Sequence, residues 1–321
     1  MALGGISPVS DARAVSVSTV LGTTEKCQTY AGLPDSSGPA GRFGMVAVPA
    51  GTFSPGSTHG YPDEKPAGAV KVGAFWMDRT EVTNAQFAAF VRATAFVTTA
   101  ERLGGAAVFR APAKGEAIAE NSWWVYTRGA DWRHPEGPPS NLQRRENQPV
   151  IHVSQSDALA YARWLGNDLP TEAEWEWAAH GGGDPERVER EPRDRNNKPT
   201  ANYWQGVFPD LNTREDGFAD RAPVGCFAAN GYGLHDLIGN VWEWTKDPYR
   251  GPRQPHGNGD PAATLPASVK PGLPMVIKGG SFLCAADYCV RYRAAARQPQ
   301  EFNLGAAHVG FRTVRRESQS R

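Results

Sequence analysis

The sequence has no surplus of either charge: 34 Lys and Arg stand against 34 Asp and Glu in 321 residues. A phosphate-binding surface normally shows as a basic excess, so the balance argues against nucleic acid as the main partner. No window approaches 18 uninterrupted apolar residues, so no membrane span is expected. Residues 1–20 lack a basic stretch followed by an apolar core, so no secretory signal is read and a soluble, cytoplasmic chain is expected. Fixed-period repeats and low-complexity tracts are missing too. Cysteine is scarce, at four residues.

What is abundant is glycine and proline. Gly 35 and Pro 26 make about a fifth of the chain, and Trp reaches 10. Both Gly and Pro are costly inside helices, whereas so much aromatic content excludes disorder. A compact, loop-rich domain packed on aromatic anchors follows. Residues 1–40, rich in small and polar residues, read as a flexible or peripheral N-terminal arm. Residues 41–316 form one domain, and 317–321 a C-terminal tail.

Three helices are marked by their starts. Thr83-Asn84-Ala85-Gln86 and Thr171-Glu172-Ala173-Glu174 are capping boxes, and Ser154-Gln155-Ser156-Asp157 opens a third helix that Gly166 ends. Gly181–Gly183 stop the helix after Thr171. Residues 45–53 read as a strand and turn and the highly charged residues 184–200 as a surface loop; within 201–316, Val276-Ile277-Lys278 and Val309-Gly310-Phe311-Arg312 read as strands and the rest as loop. Helices precede a loop-rich β region, so the class is α+β with little regular structure.

Cys284 and Cys289 form a C-x4-C pair behind Gly279 and Gly280. Three readings stand at this point: a disulfide, half of a zinc site, or a soft-metal or redox site. No second Cys/His pair has finger-like spacing, and two thiolates with room for close backbone approach suit a low-coordinate ion such as Cu(I). Cys27 and Cys226 are read as free thiols.

The run Gly279-Gly280-Ser281-Phe282-Leu283-Cys284-x4-Cys289, followed by Val290-Arg291-Tyr292-Arg293 and closed by Val309-Gly310-Phe311-Arg312, resembles the formylglycine-generating enzymes, the sulfatase-modifying oxidases. The likeness runs over roughly residues 45–315. It includes Asp78-Arg79-Thr80-Glu81-Val82-Thr83-Asn84, Trp132-Arg133-His134-Pro135-Glu136-Gly137 and Gly239-Asn240-Val241-Trp242-Glu243-Trp244. The fold it implies is a single loop-rich domain with a C-type-lectin-like core.

The resemblance implies Cu(I) held between Cys284 and Cys289, with O2 as co-substrate and an external electron donor. A substrate cysteine thiol would be converted to an aldehyde, Cα-formylglycine. It implies a catalytic role for Ser281, and substrate-binding positions at Trp242, Arg297, Gly305, His308, Ala100 and Gly105. It also implies two structural calcium ions. One would be held by Asn202, Asp216 and the carbonyls of Tyr203 and Phe218; the other by Asp236, Glu243 and the carbonyls of Gly239 and Val241. Oxygen donors of this mix suit calcium.

The sequence departs from the family at the substrate groove. Ala285 stands for a His, Gly305 for a Ser, His308 for an Asn, and Gly105 for an acid that pairs with a substrate arginine. The copper ligands are spared. The expected substrate is therefore a cysteine-containing peptide or protein outside the usual Cys-x-Pro-x-Arg sulfatase motif, with a small thiol or biosynthetic intermediate as the alternative. A monomer is expected, with no nucleic acid or membrane partner. A non-catalytic, lectin-like binding scaffold is the competing class, and the cysteine pair is the feature against it. The iron-dependent sulfoxide-synthase branch is disfavoured because no His-rich helical domain accompanies this one.

Overall fold

A computed structural model describes residues 21–34, 41–113, 122–253 and 274–317. Residues 1–20, 35–40 and 318–321 of the proposed arm and tail lie outside the described residues.

Helices Asn84–Thr94, Gln155–Trp164 and Glu172–His180 each start where a local hydrogen-bond exchange begins. The hydroxyls of Thr83, Ser154 and Thr171 accept from the backbone three residues on, and the side chains of Gln86, Asp157 and Glu174 accept from the cap's own N–H. Each cap satisfies an otherwise orphaned donor, an effect worth ~1 kcal/mol. A fourth box, Thr98 with Glu101, starts the short helix Thr99–Leu103, which the sequence reading does not include. Helix Thr24–Thr29, in the segment expected to be an arm, is also additional to it. The charged stretch expected to be loop contains a 3-10 turn, Pro185–Glu189, whose last residue is buried.

Two small sheets organise the rest. In the first, Met45–Val48 and Val314–Arg316 both pair antiparallel with Phe75–Asp78, so the two ends of the domain meet at one strand. In the second, the order is Arg297–Glu301, Pro274–Lys278, Trp242–Pro248, Val309–Gly310, with the last pairing parallel. Trp242–Pro248, expected to be loop, is a central strand. Its first four residues are all buried, so the in-and-out alternation that would announce a strand is missing. The hairpin Gly105–Phe109 with Trp124–Arg128 is additional to the sequence reading.

The cysteine loop is the connection between two adjacent strands of the second sheet, Pro274–Lys278 and Arg297–Glu301. It is therefore anchored at both ends by a ladder. Beneath it, Cys284, Trp242, Tyr203, Tyr292 and Ala296 belong to the main apolar core. Among the described residues, no helix is long and apolar enough to cross a membrane.

Candidate active site and cation nest

Gly279 and Gly280 turn the chain out of its strand with φ of +94° and +79°. A Cβ at 280 would lie 2.6 Å from the Arg291 carbonyl, so the two arms of the loop approach as closely as only glycine permits. The Ser281 carbonyl then accepts from Cys284 N at 2.9 Å, and its Oγ accepts from Leu283 N at 3.3 Å. Ser281 thus shapes the turn that presents Cys284, and its own hydroxyl proton is not spent in doing so. Trp204 N donates to the Cys284 carbonyl and Arg291 N to that of Cys289.

Inside this frame the sulfurs of Cys284 and Cys289 lie 3.1 Å apart, unbonded. Burial opposes ionisation of Cys284, yet the hydrogen bond from Cys289, backbone N–H groups and the Arg291 charge together hold its thiol below the ordinary range. Cys289 is pushed well above it, first by the bond to Cys284 and then by burial. Trp242, fully buried, shares the core cluster with Cys284.

Arg291 is the residue that sequence reasoning misses here. Its guanidinium reaches Glu64 Oε1 at 2.9 Å and lies 4.0 Å from the centre of the Tyr61 ring. It also donates to the Arg297 carbonyl. A buried network of acids and bases carries this anchorage back to Glu172 and Glu176, which pair with Arg253, Lys278 and Arg297. Arg297, expected at the substrate, belongs to that network instead. Glu172, the Asp63 carbonyl and the Gly251 carbonyl take four of its five N–H donors.

The groove positions are filled rather than open. Ala100 is buried in a small cluster with Ala106, Val108 and Ala130, so it packs a helix on a hairpin. A Cβ on Gly105 would meet the Thr127 carbonyl at 2.5 Å, and one on Gly305 the His152 backbone at 2.6 Å. Ala285 is buried among Phe282, Leu283 and Phe208. His308 is tilted against Trp124 with ring centres 4.5 Å apart. Burial holds its pKa down at about 3, so it is a neutral ring at ordinary pH, and its Nδ1 has no partner. Beside the cysteine loop, Tyr288 stacks on Phe208 at 4.4 Å, and Trp123 meets both edge-on.

The two expected calcium sets come together differently. In the first, Asp216 already accepts from Tyr203 N, Gln205 Nε2 and Phe218 N. The Tyr203 carbonyl accepts from the same Gln205 amide, and Asn202 Nδ2 donates to the Asp220 carbonyl and to Asn240. Asp216 and the Tyr203 carbonyl are thus already engaged by protein donors. In the second, both oxygens of Glu243 are engaged by Arg312, and one of them also by Trp175. Asp236 accepts from Gly225 N. Glu81, buried beside them, gives one oxygen to Asn240 and leaves Oε2 without a partner. Burial and then the Asp236 charge drive the Glu81 carboxyl well above its usual range. Three carboxyl groups face one guanidinium here, an arrangement that fits a cation, although no three ligating side chains among the described residues converge on one point.

Residues 34–317 match the sulfatase-modifying factor enzyme 1-like domain family. Over 84% of its length the chain is 47% identical to the formylglycine-generating enzyme of Thermomonospora curvata, covering 92% of that protein. It is also 37% identical to a mouse protein named inactive Cα-formylglycine-generating enzyme 2, covering 84% of each chain. Among solved structures, PvdO from Pseudomonas aeruginosa shares the fold, with a TM-score of 0.57 at 22% identity over 85% of this chain and 94% of that one.

Proposed function

This chain belongs to the sulfatase-modifying factor enzyme 1-like family, and from that premise we propose that it is an oxidase converting the side chain of a substrate cysteine to the aldehyde of Cα-formylglycine. Kinship alone does not carry the activity, since one relative is named inactive. The observation that carries it is the unbonded pair of a buried Cys284 and a half-buried Cys289, with sulfurs 3.1 Å apart.

A donor set of two close sulfurs in an apolar core suits a soft monovalent ion. Copper(I) held there would supply a soft Lewis acid for an incoming thiol and a source of electrons for O2. The chain does the remainder. Cys284 and Cys289 hold the charge, Ser281 keeps a hydroxyl proton available at the loop, and Trp242 closes the apolar floor against water. The thiol-bearing carbon of the substrate and its sulfur lose two hydrogens to become a thioaldehyde. Water then replaces sulfur, releasing hydrogen sulfide. Those two hydrogens, with two more from an external donor, reduce O2 to two waters.

We assign calcium to Asp236, Glu243 and the carbonyls of Gly239 and Val241, with Glu81 adding its free oxygen. Its role is to pin irregular backbone. The substrate is a cysteine-containing peptide or protein, and the closed positions at Gly105 and Gly305 favour one outside the sulfatase motif. We propose a monomer at work in the cytoplasm.

The test is aldehyde capture from the copper(I)-loaded protein given a Cys-x-Pro-x-Arg peptide and its Arg→Ala version. Aldehyde from both at comparable rates, lost in Cys284→Ala, is the expected result. A strong preference for arginine would overturn the altered groove alone. No aldehyde, together with no copper(I) binding, would return the chain to the binding-scaffold class.

A further inference from the structure

Cys27 and Cys226, expected from sequence to be free thiols, are joined by a disulfide across 199 residues. The correction has a physical reason: the pairing depends on where the first described segment lies, and no local pattern encodes that. We propose that this bond is a redox-modification site, a clasp that fastens residues 21–34 beside the buried Glu81 and its half-buried neighbour Asp236 and is opened by a dithiol.

The segment has little regular structure of its own. Helix Thr24–Thr29 has six residues, of which Cys27 is the buried one. A helix of that length is not stable on its own. Both flanks of the bond touch backbone that supports the acids. On one side Gly22 N donates to the Gly225 carbonyl at 2.7 Å, and Gly225 N in turn donates to Asp236. On the other, the Gly32 carbonyl accepts from Thr83 Oγ1, two residues from Glu81 and the cap of helix Asn84–Thr94. Between them the Cys27 carbonyl accepts from Asn147 Nδ2 at 2.7 Å. A Cβ on Gly32 would lie 2.4 Å from the Glu146 carbonyl, so the segment is seated against the body rather than draped on it.

The chemistry is a thiol–disulfide exchange. A thiolate of the dithiol attacks one cysteine sulfur and displaces the other as thiolate; the second thiol of the reagent then releases the first cysteine. Two electrons and two protons pass to Cys27 and Cys226, and the reagent leaves as its own disulfide. Both sulfurs are buried, so attack waits on the segment lifting. Disulfides in a reducing compartment are uncommon unless they cycle. A chain working in the cytoplasm would therefore carry this bond as a reversible clasp.

Hydrogen exchange read by mass spectrometry, on the full chain before and after dithiothreitol, tests the clasp. Thiol titration follows the same samples and should rise from two thiols to four. Reduction should speed exchange about tenfold in residues 21–34 and in 222–236, leaving strand Arg297–Glu301 unchanged. The Cys27→Ser/Cys226→Ser variant should match the reduced protein without reagent, which separates the clasp from any action on Cys284 and Cys289. Two thiols persisting under native conditions would show that the bond is no redox site. Four thiols with unchanged exchange in 222–236 would reduce it to a local staple.

Discussion

Cys284 and Cys289 stand five positions apart with sulfurs 3.1 Å from each other, and they are not bonded. Cys27 and Cys226 stand 199 positions apart, and they are. A disulfide needs sulfurs about 2.05 Å apart, and the nearer pair stands outside that distance on a backbone fixed at both ends. Ser281, Trp204 and Arg291 fix the backbone on each side, and Arg291 is itself gripped by Glu64 and Tyr61. The distant pair has the opposite setting, a short exposed helix with one buried side chain. In the first region the fold holds the sulfurs in place. In the second the sulfurs hold the fold.

The largest effect that tests this contrast is on the near pair. Cys284→Ala or Cys289→Ala should each abolish aldehyde formation and one-to-one copper(I) binding, with the melting temperature little changed, because the frame is backbone and charge. A variant that keeps turnover would remove the pair from the chemistry. Cys27→Ser should do the reverse. It should cost about 4 kcal/mol in urea unfolding, since the bond closes a long loop, while copper(I) stoichiometry stays at one. An unchanged urea midpoint would mean that the strap contributes nothing to the native state.

The third test reaches the frame through its far end. Burial opposes the charge on Glu172, but Arg253, Lys278 and Arg297 outweigh it and hold the carboxyl down at about 2. A folded pKa below the ordinary 4.5 contributes stability above that value, and the contribution is lost as pH falls toward 2. Glu172→Gln should therefore cost about 3 kcal/mol at pH 7, and the gap to the unaltered protein should close in acid. Because Arg297 supports Arg291 through its carbonyl, the variant should also let Cys284 and Cys289 oxidise to a disulfide faster in air. A cost that persists at pH 2 would assign the loss to packing. The smallest effect is at the groove. Gly105→Asp should cost about 1–3 kcal/mol through overpacking against Thr127 and should not create a preference for arginine peptides; a gained preference would show that the position is open after all.

How much of this is legible in the sequence depends on sequence distance. Three capped helices, the α+β class and the C-x4-C loop are readable because each is settled by groups a few residues apart. Strand Trp242–Pro248 is not, since burial on both faces erases its alternation. Glu81 lies inside a recognisable motif, yet only its unpartnered oxygen beside Asp236 marks it as part of the acid cluster around Arg312. Arg297 stands in plain view and reads as a substrate contact, whereas its partner Glu172 lies 125 residues away.

By itself, then, the sequence determined the helix starts, the loop that presents two thiols, and the absence of a side chain at Gly105 and Gly305. Those are covalent or near-neighbour facts. Tertiary structure alone decided which cysteines bond, which acids share Arg312, and that both groove glycines are backed by other backbone. Such pairings depend on where distant segments cross, and the buried charges and sulfurs that meet there have no partner until the chain has folded.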